Sequence, residues 1–343
     1  MLDDKFKVLV RTTDIDRDEW LEYRNSGLGG SDAGTIAGIN PYKSAFALWT
    51  EKTGQVKDEF TGNAATELGN IFELPVAQAF AKQTGASVVA WPVMLQSNEH
   101  PFMLANVDFF IVENNDAFPA GEVTTWTGQH LPPQTTSILE IKTTGLAGRG
   151  NAQAWRNGGV PKSYEYQGLH YSAVTGIGKV IFCALVGGEG LVVRERNFDE
   201  VQQAALIALE TDFWEKVQND DAPEVEGKES DFEALKALYP SHTPEKVVEV
   251  DEFQADLVSE YLKAKQFADQ AQEVVDRIKA QLLALVGDAE EVQFNGSTLF
   301  TYKASKDSET FDAKAFKEAN PELAKQFTKV RAGYRTLRIK DSE

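Results

Sequence analysis

The segment "SILEIKTT", residues 137–144, is an apolar, β-favouring run that carries a glutamate and a lysine two positions apart. Successive side chains of a strand point to opposite faces, so Glu140 and Lys142 project together while Leu139 and Ile141 face the other way into packing. One strand earlier, "ANVDFFIV" places Asp108 in an equally apolar run, where an isolated carboxylate is costly to desolvate. A fold that buries both strands must let the two carboxylates share a cation or else leave them on a solvated face. All-oxygen sites suit Mg²⁺ or Mn²⁺, and a neighbouring lysine would hold a water and offset developing charge. On its own, E-x-K in a strand reads as a surface ion pair. Asp108 shifts the reading towards a metal-dependent phosphodiesterase.

With 343 residues the chain can bury a full core and hold two domains. A helix is expected from about Asp16 to Asn25, followed by a Gly-rich turn and a second helix for which Ser31 is a natural N-cap. A third, "SAFALWTEKTG", is capped by Ser44 and closed at Gly54. A fourth covers "ATELGNIFELPVAQAFAKQTG", with a kink just after Glu73 because Pro75 removes a backbone donor. Four β-rich runs follow: "FMLANVDFFIV", "SILEIKTT", "KVIFCALVGG" and "GLVVRERNF". A helix around "SYEYQGLHYSAVTG" separates the second from the third, and another spans "DEVQQAALIALETDFWEKV". Residues 113–136, rich in Gly, Pro, Thr and Asn, read as an excursion or small hairpin. The order predicts an α/β (α+β) fold over residues 1–220, with a central mixed sheet flanked by helices. Residues 221–343 form a separate C-terminal region, beginning with the acidic linker "NDDAPEVEGKESD". A long helix from about Asp251 to Val286 carries a heptad seam that includes Leu257, Tyr261, Val275, Ile278 and Leu282. Folding against its own domain is the plainer reading of that seam, an intermolecular coiled coil the alternative. A small β-hairpin of "STLFTYKA" and "YRTLRIK" around a polar helix is expected at the end.

Cys183, the one cysteine, sits in "VIFCALV", so the chain itself forms neither a disulfide framework nor a cysteine-rich metal centre. The four histidines, His170 among them, lack metal-ligand spacing and read as structural or surface residues. No run of about 18 apolar residues and no signal-peptide pattern occurs, so a cytoplasmic protein without membrane contact is expected. A net charge of -19 argues against unspecific attraction to nucleic acid. The stretch from Glu140 to Val180 is nevertheless locally basic, with Lys142, Arg149, Arg156, Lys162 and Lys179 against Glu140 and Glu165.

The run "WLEYRNSGLGGSDAGTIAGINPYKSAFALWTEKTG" closely resembles the start of phage-type YqaJ recombinases, relatives of lambda exonuclease in the PD-(D/E)xK nuclease superfamily. "LGNIFELPVAQAF", "ILEIKTT", "VPKSYEYQGLHYSAVTG" and the tail "FDAKAFKEANPELAKQFTKVRAGYRTLRIK" extend the resemblance over most of the chain, in the expected order. It implies a restriction-endonuclease-like core and a lambda-exonuclease-like nuclease domain over residues 1–220. It further implies that Asp108 and Glu140 ligate the metal with the backbone carbonyl of Ile141, and that Lys142 orients or activates the water. Glu73 matches a helical glutamate that approaches a second metal or its waters. Arg24 and Ser31 match positions that hold a 5′-terminal phosphate, and Gln167 a glutamine near the site. An arginine fork beside the start of a helix suits an anion.

The implied activity is a Mg²⁺-dependent (or Mn²⁺-dependent) DNA exonuclease, acting 5′ to 3′ on double-stranded DNA ends in phage-type recombination. Its partners would be a single-strand annealing protein and copies of itself in a ring-shaped trimer, inside a bacterial host of a phage or prophage. A structure-selective or RecB-type repair endonuclease of the same fold, or a non-catalytic DNA-binding or assembly protein, are the alternatives. The iron–sulfur relatives are excluded because they need four cysteines. One departure stands out: 31 residues separate Asp108 from Glu140, more than a hairpin of this family needs. Residues 113–136 then read as an insertion at the far end, and the metal site requires the two strands to be neighbours.

Overall fold

The structure is a computed structural model that describes residues 2–57, 64–144, 152–187, 189–329 and 333–339. The chain divides into two units, Met1–Tyr239 and Pro240–Glu343.

The first unit opens with β1 (Phe6–Arg11), α1 (Arg17–Asn25), β2 (Leu28–Gly29), α2 (Gly30–Ile36), α3 (Ala45–Lys52) and α4 (Ala64–Thr84). Helix α1 starts where the sequence signals it, because the Asp16 carboxylate accepts from the N–H groups of Asp18 and Glu19. Ser44 caps α3 by accepting from the N–H of Ala47. Ser31 is not a cap: α2 begins after Gly29, and Asp32, three residues on, accepts from the Gly29 N–H. Helix α4 runs unbroken through Pro75.

Next come β3 (Ser87–Ala90), β4 (Val93–Ser97), β5 (Met103–Ala105), β6 (Phe109–Val112), β7 (Val123–Thr125) and β8 (Thr135–Thr144). After them lie α5 (Ala152–Arg156), α6 (Lys162–Thr175), β9 (Lys179–Val186), β10 (Gly190–Asn197), α7 (Glu200–Gln218) and α8 (Glu229–Leu238). The main sheet has the order β10-β9-β8-β6-β3-β7 and is mixed, β8 lying parallel to β9 and antiparallel to β6. A second sheet has the order β1-β4-β5-β2. On one face of the main sheet Ile138, Val180 and Phe182 pack with Trp91, Phe110 and Trp155. On the other, Leu139, Ile141 and Cys183 pack with Val76, Ala77 and Phe80 of α4. Strand β8 is thus buried on both sides, which answers to its near-continuous apolar sequence.

Three features differ from the sequence reading. "FMLANVDFFIV" is two strands in two sheets, and Asp108 sits on a bend immediately before β6. The insertion 113–136 contributes β7, which pairs in parallel with β3 at the sheet edge. It is also tied to β1 by Arg11, whose guanidinium donates to the carbonyl of Gly128. The division into units lies after Tyr239 rather than at 220, because α8 returns to pack on α3. Arg149 of the locally basic stretch lies outside the described residues.

The second unit contains α9 (Glu252–Val286), β11 (Glu291–Phe294), β12 (Ser297–Thr301), α10 (Ala313–Ala319) and α11 (Pro321–Gln326). Its hairpin pairs β11 with β12 through Asn295 and Gly296, both with positive φ, the geometry a tight two-residue turn demands. "YRTLRIK" forms no strand over its described residues, contrary to the expected pairing. The heptad seam of α9 stays exposed, with Leu257 at 57% and Leu285 at 69%, so the helix does not bury it within this unit.

Candidate metal and phosphate site

Two adjacent strands build the first half of the site. Antiparallel pairing sets Phe109 opposite Leu139, which brings Asp108 alongside Glu140 despite the long connection between them. The backbone N–H of Ile141 donates to Asp108 Oδ2 at 2.9 Å and fixes its carboxylate. Lys142 Nζ donates to Glu140 Oε1 at 2.6 Å and lies 4.9 Å from the centre of the Tyr164 ring. Glu140 is fully buried, and its Oε2 has no hydrogen-bond partner among the described residues.

The electrostatics are those of carboxylates crowded out of water. Burial pushes the Glu140 carboxyl up to about 8, helped by the charge of Asp108 and opposed by Lys142. Burial also raises Asp108. On α4, half-buried Glu73 is pushed up to about 7 by burial and then by Asp108, so it belongs to the same electrostatic cluster. Burial alone would pull Lys142 down, but Glu140 and Asp108 outweigh it and hold the ammonium charged.

The second half lies where α1, α2, α3 and α6 meet. Arg24 Nη1 donates to Asp32 Oδ2 at 2.7 Å, and Nη2 to Ser31 Oγ at 3.1 Å. Lys52 Nζ stands 3.3 Å from the same Asp32 oxygen and donates to the carbonyls of Arg24 and Gly27. Burial would raise Asp32, yet Arg24 and Lys52 hold it well below the usual carboxylate range, while burial pulls Lys52 down to about 8. Gln167 Nε2 donates to the Tyr171 hydroxyl at 3.1 Å. A Cβ on Gly30 would come within 2.6 Å of the Tyr171 ring, so only glycine lets α2 approach α6 this closely. Tyr171 links the two halves: burial, and then the charges of Glu140 and Asp108, raise its hydroxyl, while Arg24 acts in the opposite direction. His170 is structural, its ring nitrogens engaging Glu210 and the carbonyl of Leu104 in the core.

All seven side chains singled out from the sequence therefore fall into these two groups. Asp32, Lys52, Tyr164 and Tyr171 were not among them. Tyr171 was the accessible one, since it follows Gln167 by four on a helix and shares its face. Lys52 reaches the cluster only through tertiary packing of α3.

The first group suits a divalent metal in its chemistry. It offers one buried and one part-buried carboxylate, a backbone carbonyl at Ile141 and a buried oxygen on Glu140 that is unpartnered among the described residues, and a cation would relieve their mutual repulsion. Among the described residues no three His, Cys, Asp or Glu side chains close on one point.

Comparison with known proteins identifies the family to which the chain belongs. The model of the YqaJ-like viral recombinase domain matches residues 19–178. The uncharacterized protein YqaJ of Bacillus subtilis (strain 168) is 30% identical over 344 residues, spanning 99% of both chains. Among solved structures, the alkaline exonuclease LHK-Exo of Laribacter hongkongensis is similar with a TM-score of 0.46 and 15% identity, over 60% of this chain and 94% of that one. A phage related exonuclease from Haemophilus somnus 129PT has a TM-score of 0.40 and 11% identity, over 57% and 96%. With a relative matched along its whole length and a domain match that takes in both halves of the site, the chain belongs to the YqaJ-like viral recombinase family.

Proposed function

We propose that this protein is a metal-dependent deoxyribonuclease that degrades duplex DNA from its ends, 5′ to 3′, in phage-type recombination. The observation that carries the reading is the buried Glu140 carboxylate beside part-buried Asp108 and a charged Lys142, with Glu140 Oε2 unpartnered among the described residues. Asp108, Glu140 and the Ile141 carbonyl would hold Mg²⁺ or Mn²⁺, with Glu73 reaching a second ion or its waters. The ion supplies Lewis acidity at the phosphate and a water of lowered pKa.

The chain's own residues do the rest. Lys142 is held charged, so it orients the attacking water and stabilises negative charge on the phosphoryl oxygens rather than abstracting a proton. Asp32 locks Arg24 in place, leaving Nη2 and the exposed Ser31 hydroxyl to grip a 5′-terminal phosphate. A grip on chain ends restricts attack to them. Gln167 and Tyr171 hold the wall between that grip and the carboxylates. Family membership supports the recombination role, and an annealing partner and work inside a bacterial host are further parts of this proposal. The exposed seam of α9 supports self-association.

The test is degradation of linear duplex DNA bearing 5′-phosphate or 5′-hydroxyl ends, against a closed circle, with and without Mg²⁺. Metal-dependent loss of open ends alone, fastest with 5′-phosphate, is the expected outcome. Glu140→Ala and Lys142→Ala should each fold and lose about 10²- to 10³-fold or more in rate. Cutting of the closed circle would establish endonuclease action, and full activity of Lys142→Ala would refute its role.

A further inference from the structure

The second unit holds a feature that the nuclease reading leaves unused. Residues 325–340 carry six cations and no carboxylate, in a chain whose net charge is -19. Within this unit a cleft of about 600 Å³ separates residues 240–242 from residues 333–338. Tyr334, Arg335, Arg338 and His242 line it, and no Asp or Glu among the described residues does. Arg335 and Arg338 are exposed, and among the described residues neither enters an ion pair. Tyr334 and Phe327 are large aromatics at 74% and 78% exposure.

Such a combination has a chemical meaning. Two guanidinium forks three residues apart can each take a phosphate oxygen pair, which lysines on a solvated surface do not do with the same geometry. An exposed aromatic beside them offers a face on which a base can stack. A duplex hides its base faces, and the described backbone at 333–339 is neither a helix nor a strand that could enter a groove.

We propose that this cleft binds single-stranded DNA, with Arg335 and Arg338 on the phosphates and Tyr334 against a base. Resting on the nuclease reading, its occupant is the strand that degradation of the opposite strand leaves unpaired.

The experiment measures binding of the full-length protein to a labelled single strand and to a blunt duplex of equal length, in EDTA, across a salt series. Arg335→Ala/Arg338→Ala should weaken single-strand binding about tenfold or more and lower the magnitude of the salt slope by about 1.4. Tyr334→Ala should weaken it about tenfold while leaving the salt slope unchanged. Circular dichroism of each variant establishes that it is folded, and Mg²⁺-dependent cleavage of a short duplex should persist. Unchanged single-strand affinity and slope in the folded double variant would overturn the proposal. Equal loss on duplex and single strand would overturn the assignment to unpaired DNA. Glu140→Ala is read separately: if it cleaves normally, the nuclease reading fails while the arginine cleft stands or falls on binding alone.

Discussion

Glu140 shows how a charged residue can be written into a buried strand. Its carboxyl is held up to about 8, and that of Glu73 at about 7, because burial and Asp108 disfavour their charges. Both folded values lie above the ordinary 4.5, so the stability they contribute is fully present below about 4.5 and is lost as pH rises through 7 to 8. Without metal, the protein should therefore lose stability from about pH 5 to 8.5. A divalent cation takes the place of the lost protons, so stabilisation by millimolar Mg²⁺ should grow over the same window. Thermal melts with Mg²⁺ or EDTA at each pH check this, with Glu140→Gln expected to flatten both dependences. A Mg²⁺ effect that is constant with pH would mean that these carboxylates do not hold the ion. Glu140 and Lys142 could be read from the sequence because strand periodicity of two is local, and Asp108, on the bend before β6, because it interrupts an apolar run. Asp32 and Lys52 could not, since the contact between α2 and α3 that joins them to Arg24 is set by tertiary packing.

At the scale of elements, the strongly patterned segments were legible and the short ones were not. The helices α1, α3 and α9 begin at Asp16, Ser44 and Asp251, each a side-chain cap that the sequence displays. Strands β1, β3 and β4 went unread, being short and interrupted, and the Asn295–Gly296 turn was passed over for a longer-range pairing. The seam of α9 leads to an expectation about association. Parallel, in-register helices from two copies place Glu260 of each against Lys265 of the other, whereas full antiparallel overlap sets Lys265 against Lys279. Parallel association with a second copy is therefore expected. Leu257→Cys should form a disulfide between like residues under oxidation. Glu260→Lys should weaken the assembly about fivefold by light scattering, and adding Lys265→Glu should restore it. A monomer at tens of micromolar would remove the seam from any role in assembly.

For the whole molecule, the boundary after Tyr239 carries a consequence that a boundary at 220 would not. Helix α8 closes a cluster in which Phe46, Leu48 and Trp49 pack with Phe213 and Ala234. Buried Asp231 accepts from the Ser44 hydroxyl and from the N–H groups of Glu226 and Lys228, so the cap of α3 and the start of α8 share one carboxylate. The acidic composition of residues 219–231 reads as linker in the sequence, because the partner that buries Asp231 lies 187 residues away. Cutting after 220 removes that carboxylate and opens the apolar cluster to water, at a cost of about 3 kcal/mol or more. For a unit of this size that corresponds to a fall of about 6–12 °C in Tm. A fragment of residues 1–239 is therefore expected to unfold cooperatively and to keep Mg²⁺-dependent nuclease activity. The fragment 1–220 should melt lower or fail to remain soluble. Equal melting temperatures for the two fragments would place α8 outside the nuclease unit, and the sequence boundary at 220 would then be the physical one.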